Sequence, residues 1–314
     1  MNASLDIDRI RAVAGFLKHQ GTWRPTDWLF EGLPAAGDSR AVDYFFLAVK
    51  HQYGFWHDDG ESYTEPMTAA VGGRRFKGSD FVWHALRRSA ARDPGIYEAI
   101  RQAAMTDAEI AAVFSDDDGR CPMPMFDTHC GLWRGYAEDL LRLKLTPSLI
   151  VDSCRNSGDP VRSLMAVLSD LGGYKEDPLA KKASLLVLIL ANRPERFLSS
   201  GPFKIAPIVD YHNMRSLLRT GMVRIDDPAL EARIRRRKIL PGEEEAEIRS
   251  LTYDALLALE SESGLGMDAL DWFFFQNRRR CPEMTEPDCP NCEIQTVCAR
   301  KKDLFQPVIR TTFY

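Results

Sequence analysis

Residues Asp177-Pro-Leu-Ala-Lys-Lys-Ala-Ser-Leu-Leu-Val-Leu-Ile-Leu-Ala-Asn-Arg-Pro194 contain the most apolar run of the chain, at 183–191. Asp177 followed by Pro178 has the residues of a helix N-cap and first helical position, and Pro194 marks the far limit, so the stretch predicts one helix. Its run is apolar on nearly every side, which suits a rod buried at the centre of a helical protein. The same run is too short to cross a bilayer, which takes about 20 apolar residues. Lys181 and Lys182 stand at the opening of this helix. Each alone reads as a long side chain snorkelling to water. Together, at the positive end of a helix dipole, two ammonium groups disfavour their own charge, and a lysine with a lowered pKa is suited to chemistry.

Outward from this rod, apolar residues recur at three- and four-residue intervals over 10–19, 41–53, 80–91, 108–114, 133–143, 148–154, 161–171, 247–259 and 267–277. Period-two alternation is scarce, and 63–77, with Gly72-Gly73 inside it, is the best place for a small hairpin. The expected class is all-α, with helical lobes at 1–120 and 121–278 and a cysteine-bearing segment at 279–314. A second informative helix follows Ile205-Ala-Pro-Ile-Val209, with Asp210 as N-cap and Gly221 just past its end. Met214, Leu217 and Leu218 form its apolar stripe, while His212, Arg215, Ser216 and Arg219 share the other side.

Of the 314 residues 45% are hydrophobic and 27% charged, the balance of an ordinary globular chain, and the formal charge is −4. A protein that binds duplex DNA mainly by neutralising phosphates is normally basic, so that class is disfavoured. Met1-Asn-Ala-Ser-Leu-Asp6 has no charged-then-apolar leader pattern, and the expected location is the cytoplasm, with no membrane partner. Cys121, Cys130 and Cys154 are scattered and read as buried free thiols. Cys281, Cys289, Cys292 and Cys298 form a C-x7-C-x2-C-x5-C array. Thiolates this close, without a secretion signal, suit a metal centre rather than disulfides. One C-x2-C pair with two outlying cysteines fits a 4Fe-4S cube better than a zinc ribbon, which usually has two such pairs.

Val209-Asp-Tyr-His-Asn-Met-Arg215, with a four-cysteine loop following later, resembles the helix-hairpin-helix DNA glycosylases of endonuclease III type. There a V-D-x-H-x-x-R segment supplies the catalytic aspartate and the C-terminal loop is C-x6-C-x2-C-x5-C. This chain has one more residue in the first gap, and Asp177-Pro-Leu-Ala-Lys-Lys182 replaces the glycine-rich turn that grips DNA phosphate in that family. A second resemblance covers about residues 40–276. Tyr44-Phe-Phe46 through Phe55-Trp56, Gly78 to Leu86, the Lys182 helix, the Asp210-Tyr211 pair, Glu245-Ala-Glu-Ile-Arg249 and Trp272-Phe-Phe-Phe275 look, in order, like the queuosine-salvage N-glycosylases, a helical offshoot of the same superfamily. That family is not expected to carry the cysteine loop.

The endonuclease III type alone implies the structural 4Fe-4S loop; both resemblances imply a DNA-glycosylase-like fold of two intimate lobes, and cleavage of the bond between a base and a sugar. Its transition state has oxocarbenium character, which a nearby carboxylate stabilises. Asp210 is the implied catalytic carboxylate and Lys182 its amine partner, with Tyr211 and His212 on the substrate side. Phe55 and Trp56 could stack a heterocycle and His57 could read its edge, although both aromatic rings also read as core residues. Arg74, Arg75 and Lys77 read either as a phosphate clamp or as an exposed basic loop. The gap 282–288 between the first two array cysteines holds three acids and no base, which opposes a polyanion there. The expected partner is therefore a small modified nucleoside or nucleotide. A DNA base-excision enzyme of endonuclease III type and a noncatalytic nucleotide- or nucleic-acid-binding protein of the same fold are the alternatives. The basic sets at 233–238 and 278–280 stand on the nucleic-acid side of that balance.

Overall fold

The computed structural model describes residues 2–20, 23–198 and 203–314. Among these, thirteen α-helices carry the fold and strands occur only as two-stranded pairs, so the chain is mostly helical. It gathers into two compact units: Met1–Thr26, Asp58–Glu65 and Ala206–Arg310 form one, and Asp27–His57, Pro66–Ile205 and Thr311–Tyr314 the other.

The apolar rod is the centre of the second unit. It runs Lys181–Asn192, with every residue from Lys181 to Ala191 buried, and ends before Pro194 as the sequence predicts. Its start differs from the expectation. The Asp177 carboxylate accepts the amides of Leu179 at 3.0 Å and Lys181 at 2.7 Å, and its carbonyl accepts that of Ala180. These bonds close a turn in which Ala180 takes a φ of 51°, so the helix begins at Lys181 rather than behind Asp177. Neither lysine snorkels: Lys181 is 5% exposed and Lys182 0%. The Ala41–Val49 helix, buried at all positions but Asp43, packs on the rod, as does Pro160–Leu168. Ser79–Arg92 and Pro147–Arg155 close over the Ala41 helix. The helix Ala99–Ala104, which packs on Phe126–Leu143, is too short to show a repeat in the sequence.

The expected hairpin is present as Thr68–Val71 paired antiparallel with Arg74–Lys77. Gly72 and Gly73 turn it with φ of 63° and 75°, the positive values that a tight hairpin turn of matching twist requires at both positions. Both glycine amides donate to the Asp117 carboxylate. Arg74 is engaged by Glu31 and Arg75 by Thr68, so these two arginines serve the hairpin rather than standing free.

In the first unit the long helix Gly242–Ser263 packs against Ile7–His19, Tyr211–Thr220 and Met267–Asn277. Ala3–Leu5 pairs antiparallel with Val223–Ile225, and the Asn2 amide donates to Glu247 at 2.6 Å, which ties the first residues onto the long helix. Three-residue strands leave no periodic trace, and this ribbon is legible only in three dimensions.

Candidate functional site

The helix after Val209 starts and stops where the sequence places it. Asp210 caps Tyr211–Thr220, and Gly221 closes it at φ 83°. One oxygen of Asp210, Oδ1, accepts the amides of His212 at 2.8 Å and Asn213 at 3.0 Å. Its other oxygen has no hydrogen bond among the described residues, and the side chain is half-buried. The segment leading into it is held by Arg249, which donates to the Val209 carbonyl, and by Asn213, whose amide donates to Ile208 at 2.6 Å. The polar side of this helix does not face water, since His212 to Thr220 are all buried. Arg215 donates to His212 Nδ1 at 3.0 Å, to Gln306 at 2.9 Å and to Glu283 at 3.3 Å. Tyr63 donates to the second oxygen of Glu283 at 3.2 Å. The Tyr211 ring lies 4.1 Å from that of His212. Burial first, then the negative charges of Glu283 and Asp210, raise the Tyr211 hydroxyl well above its ordinary pKa, so it stays a proton donor.

The cysteine segment leans on the far end of the same helix. Arg219 donates to Cys281 Sγ at 3.3 Å and to the Pro282 carbonyl at 2.7 Å, while its own carbonyl lies 3.6 Å from Cys298 Sγ. The Arg300 amide donates to Cys298 Sγ at 3.3 Å, and Cys292 Sγ lies 3.6 Å from Asn277 Oδ1. All seven cysteines are free thiols; Cys130 and Cys154 are buried as expected, and Cys121 is half-buried. Burial raises Cys292 and Cys298, and the neighbouring array thiols raise them further, Cys298 and Cys281 acting on Cys292 and Cys281 and Cys289 on Cys298. Among the described residues no three or more His, Cys, Asp or Glu side chains are arranged to hold a metal ion. The donor set nevertheless suits one: four free sulfurs that feel one another, two of them already accepting N–H groups, as thiolate ligands commonly do.

Each of the three acids between Cys281 and Cys289 has a basic partner. Glu283 is buried against Arg215, Glu286 pairs with Lys302 at 2.6 Å and Asp288 with Arg280 at 3.1 Å. Two of these three pairs, those of Glu286 and Asp288, lie exposed to solvent.

Lys182, Phe55, Trp56 and His57 belong to the other unit. Phe55 and Trp56 are 4% and 6% exposed, and His57 is half-buried. Phe55 packs over Gly78, where a Cβ would stand 3.2 Å from it. Lys182 Nζ lies 3.4 Å from the Lys50 carbonyl and 4.9 Å from the centre of the Tyr53 ring. Burial brings its pKa down to about 7, with Glu176 opposing and Lys181 assisting. Around it lies a group that sequence reasoning missed. Lys50, His51 and His129 are fully buried; the two histidines face each other Nδ1 to Nδ1 at 3.0 Å, and Lys50 Nζ sits 3.9 Å from the Tyr136 ring centre. Lys50 Nζ and both Nε2 atoms have no hydrogen-bond partner among the described residues. Burial holds all three bases below their ordinary pKa, His129 at about 3. The polar run Lys50-His-Gln52 directly behind an apolar helix was the available signal.

No known family model matches this sequence, and no curated protein sequence matches it significantly.

Proposed function

We propose that this chain is an N-glycosidase that hydrolyses the base–sugar bond of a modified nucleoside or nucleotide. In this reading the fold is DNA-glycosylase-like, and a 4Fe-4S cluster on Cys281, Cys289, Cys292 and Cys298 serves as a structural anchor. The observation that carries the reading is the state of Asp210: one oxygen locked by two helix amides, the other without a partner among the described residues. A carboxylate held this way keeps its orientation while its free oxygen meets a reacting centre, as charge stabilisation in a transition state requires. In the reaction the C1′–N bond breaks and its electron pair leaves with the base. Asp210 stabilises the cationic sugar and takes a proton from the water whose oxygen bonds to C1′, and the released base nitrogen is protonated in turn.

A second reading, a DNA base-excision substrate, gains from one observation. A cavity of about 550 Å³ beside the cysteine loop is lined by five basic residues, Arg219, Arg235, Arg237, Arg300 and Lys302, against three acids, Glu283, Glu286 and Asp303. Chromatographic detection of free base, from a panel of nucleoside 5′-phosphates and from oligonucleotides with damaged bases, separates the readings. Asp210→Asn should lower release from the true substrate by at least about 100-fold. It should leave melting unchanged, because asparagine caps a helix as well as aspartate does. Wild-type rates in this variant would remove Asp210 from the reaction, and no release from either substrate class would sink the glycosidase reading. Lys182→Met is the separate test of whether the amine serves the same step.

A further inference from the structure

The basic set at 278–280, which the proposed function leaves unexplained, borders a concave site on the Met267–Asn277 helix. Asp271 and Phe275 of this helix face the Asp210 end of the neighbouring helix, meeting Asn213 and His212. Ala269, Trp272, Phe273 and Gln276 instead line a separate cavity of about 490 Å³, closed on its other side by Trp23 and Arg24. The Trp23 indole N–H donates to the Leu17 carbonyl at 3.2 Å and its ring meets Phe273 edge-on at 4.7 Å. Trp23, Trp272 and Phe273 thus give the cavity flat aromatic walls.

The rim has a different chemistry. Arg280 is paired with Asp288, but Arg24 and Arg279 have no acidic partner among the described residues, and the Gln276 amide makes no hydrogen bond among them either. Two free guanidinium groups at the mouth of an aromatic slot offer an anion site next to a stacking site. The volume falls within the ordinary range for a small-ligand pocket, about 300–1,000 Å³. We infer that this groove binds a nucleoside monophosphate, its base between Trp23 and Trp272 and its phosphate on Arg24 and Arg279. The inference stands apart from the glycosidase reading, since none of these residues contacts Asp210. Glu293, the one acid on the rim, opposes the phosphate and weakens the site.

Isothermal titration of the Asp210→Asn protein with guanosine 5′-monophosphate tests this without consuming the probe. Guanosine, inorganic phosphate and a ten-residue oligothymidylate serve as the comparison arms. The expected result is that Arg24→Gln with Arg279→Gln weakens binding by about tenfold or more, because both charge-assisted contacts are lost. Guanosine and phosphate should each bind more weakly than the nucleotide, and Glu293→Gln should tighten it. Trp23→Phe, which keeps a flat wall, should weaken binding less than the double arginine variant. Undiminished affinity in that double variant would overturn the proposal. So would phosphate binding as tightly as the nucleotide, or binding of the oligonucleotide alone. Base release by the wild-type protein is measured separately, so failure of the groove and failure of the Asp210 reaction give different results.

Discussion

Lys182 and the histidine pair show what burial does to single residues. A base whose folded pKa is depressed favours its neutral form in the folded state, so the unfolded chain binds more protons in the interval between the two pKa values. Stability then rises with pH across that interval. For Lys182 the interval runs from about 7 to the ordinary 10.5, and for His129 from about 3 to the ordinary 6.5. Lys50 and His51 shift in the same direction. Urea unfolding midpoints should therefore rise between about pH 7 and about pH 10, and fall as acid is added below about pH 6.5. Lys182→Met, which keeps the shape and removes the charge, should stabilise the protein at neutral pH by on the order of 1–3 kcal/mol and flatten the alkaline rise. A midpoint that drops from neutral to mildly alkaline pH in the wild type would contradict the buried, near-neutral amine.

At the scale of elements, one of the links between the Tyr211–Thr220 helix and the cysteine segment is a buried ion pair. Arg215 and Glu283 are each 2% exposed along their side chains; Arg215 also donates to His212 and Gln306 and Glu283 accepts from Tyr63, while Arg215 Nε has no partner among the described residues. Removing one partner of such a pair strands the other charge and costs about 3–5 kcal/mol, whereas replacing both with apolar residues is often nearly neutral. Glu283→Ala is expected to lower unfolding free energy by an amount in that range, and Arg215→Met with Glu283→Leu to recover most of it. A loss below about 1 kcal/mol for Glu283→Ala, the usual worth of an exposed pair, would mean that the network does not hold the loop.

For the whole molecule, the cysteine segment ties several elements of the first unit together. Ala299 and Lys301 donate to the carbonyls of Thr220 and Arg219, Arg9 reaches the Val297 carbonyl, and Ala299 packs against Gly221, where a Cβ would stand 2.8 Å away. A metal centre on the four thiols would couple its binding energy to folding of this region. Purified protein is expected to be brown and to contain iron, and Cys292→Ser should lose iron and melt at lower temperature. Stoichiometric zinc without iron, or a Cys292→Ser variant with full iron content and unchanged melting, would refute the cluster.

The sequence by itself determined the helical class, most helix positions, the glycine-turned hairpin and the capped helix from Asp210 to Gly221. Each of these is written in local periodicity or in a residue with a specific backbone preference, so short-range physics suffices. Tertiary structure alone decided the rest. It folded Asp177 into a turn ahead of the rod and buried both lysines. It set Lys50, His51 and His129 around Lys182, and paired the buried loop acid Glu283 with Arg215, a partner distant in sequence. Burial, charge pairing and the aromatic walls at Trp23 and Trp272 come from residues up to hundreds of positions apart, and no local pattern encodes which of them meet.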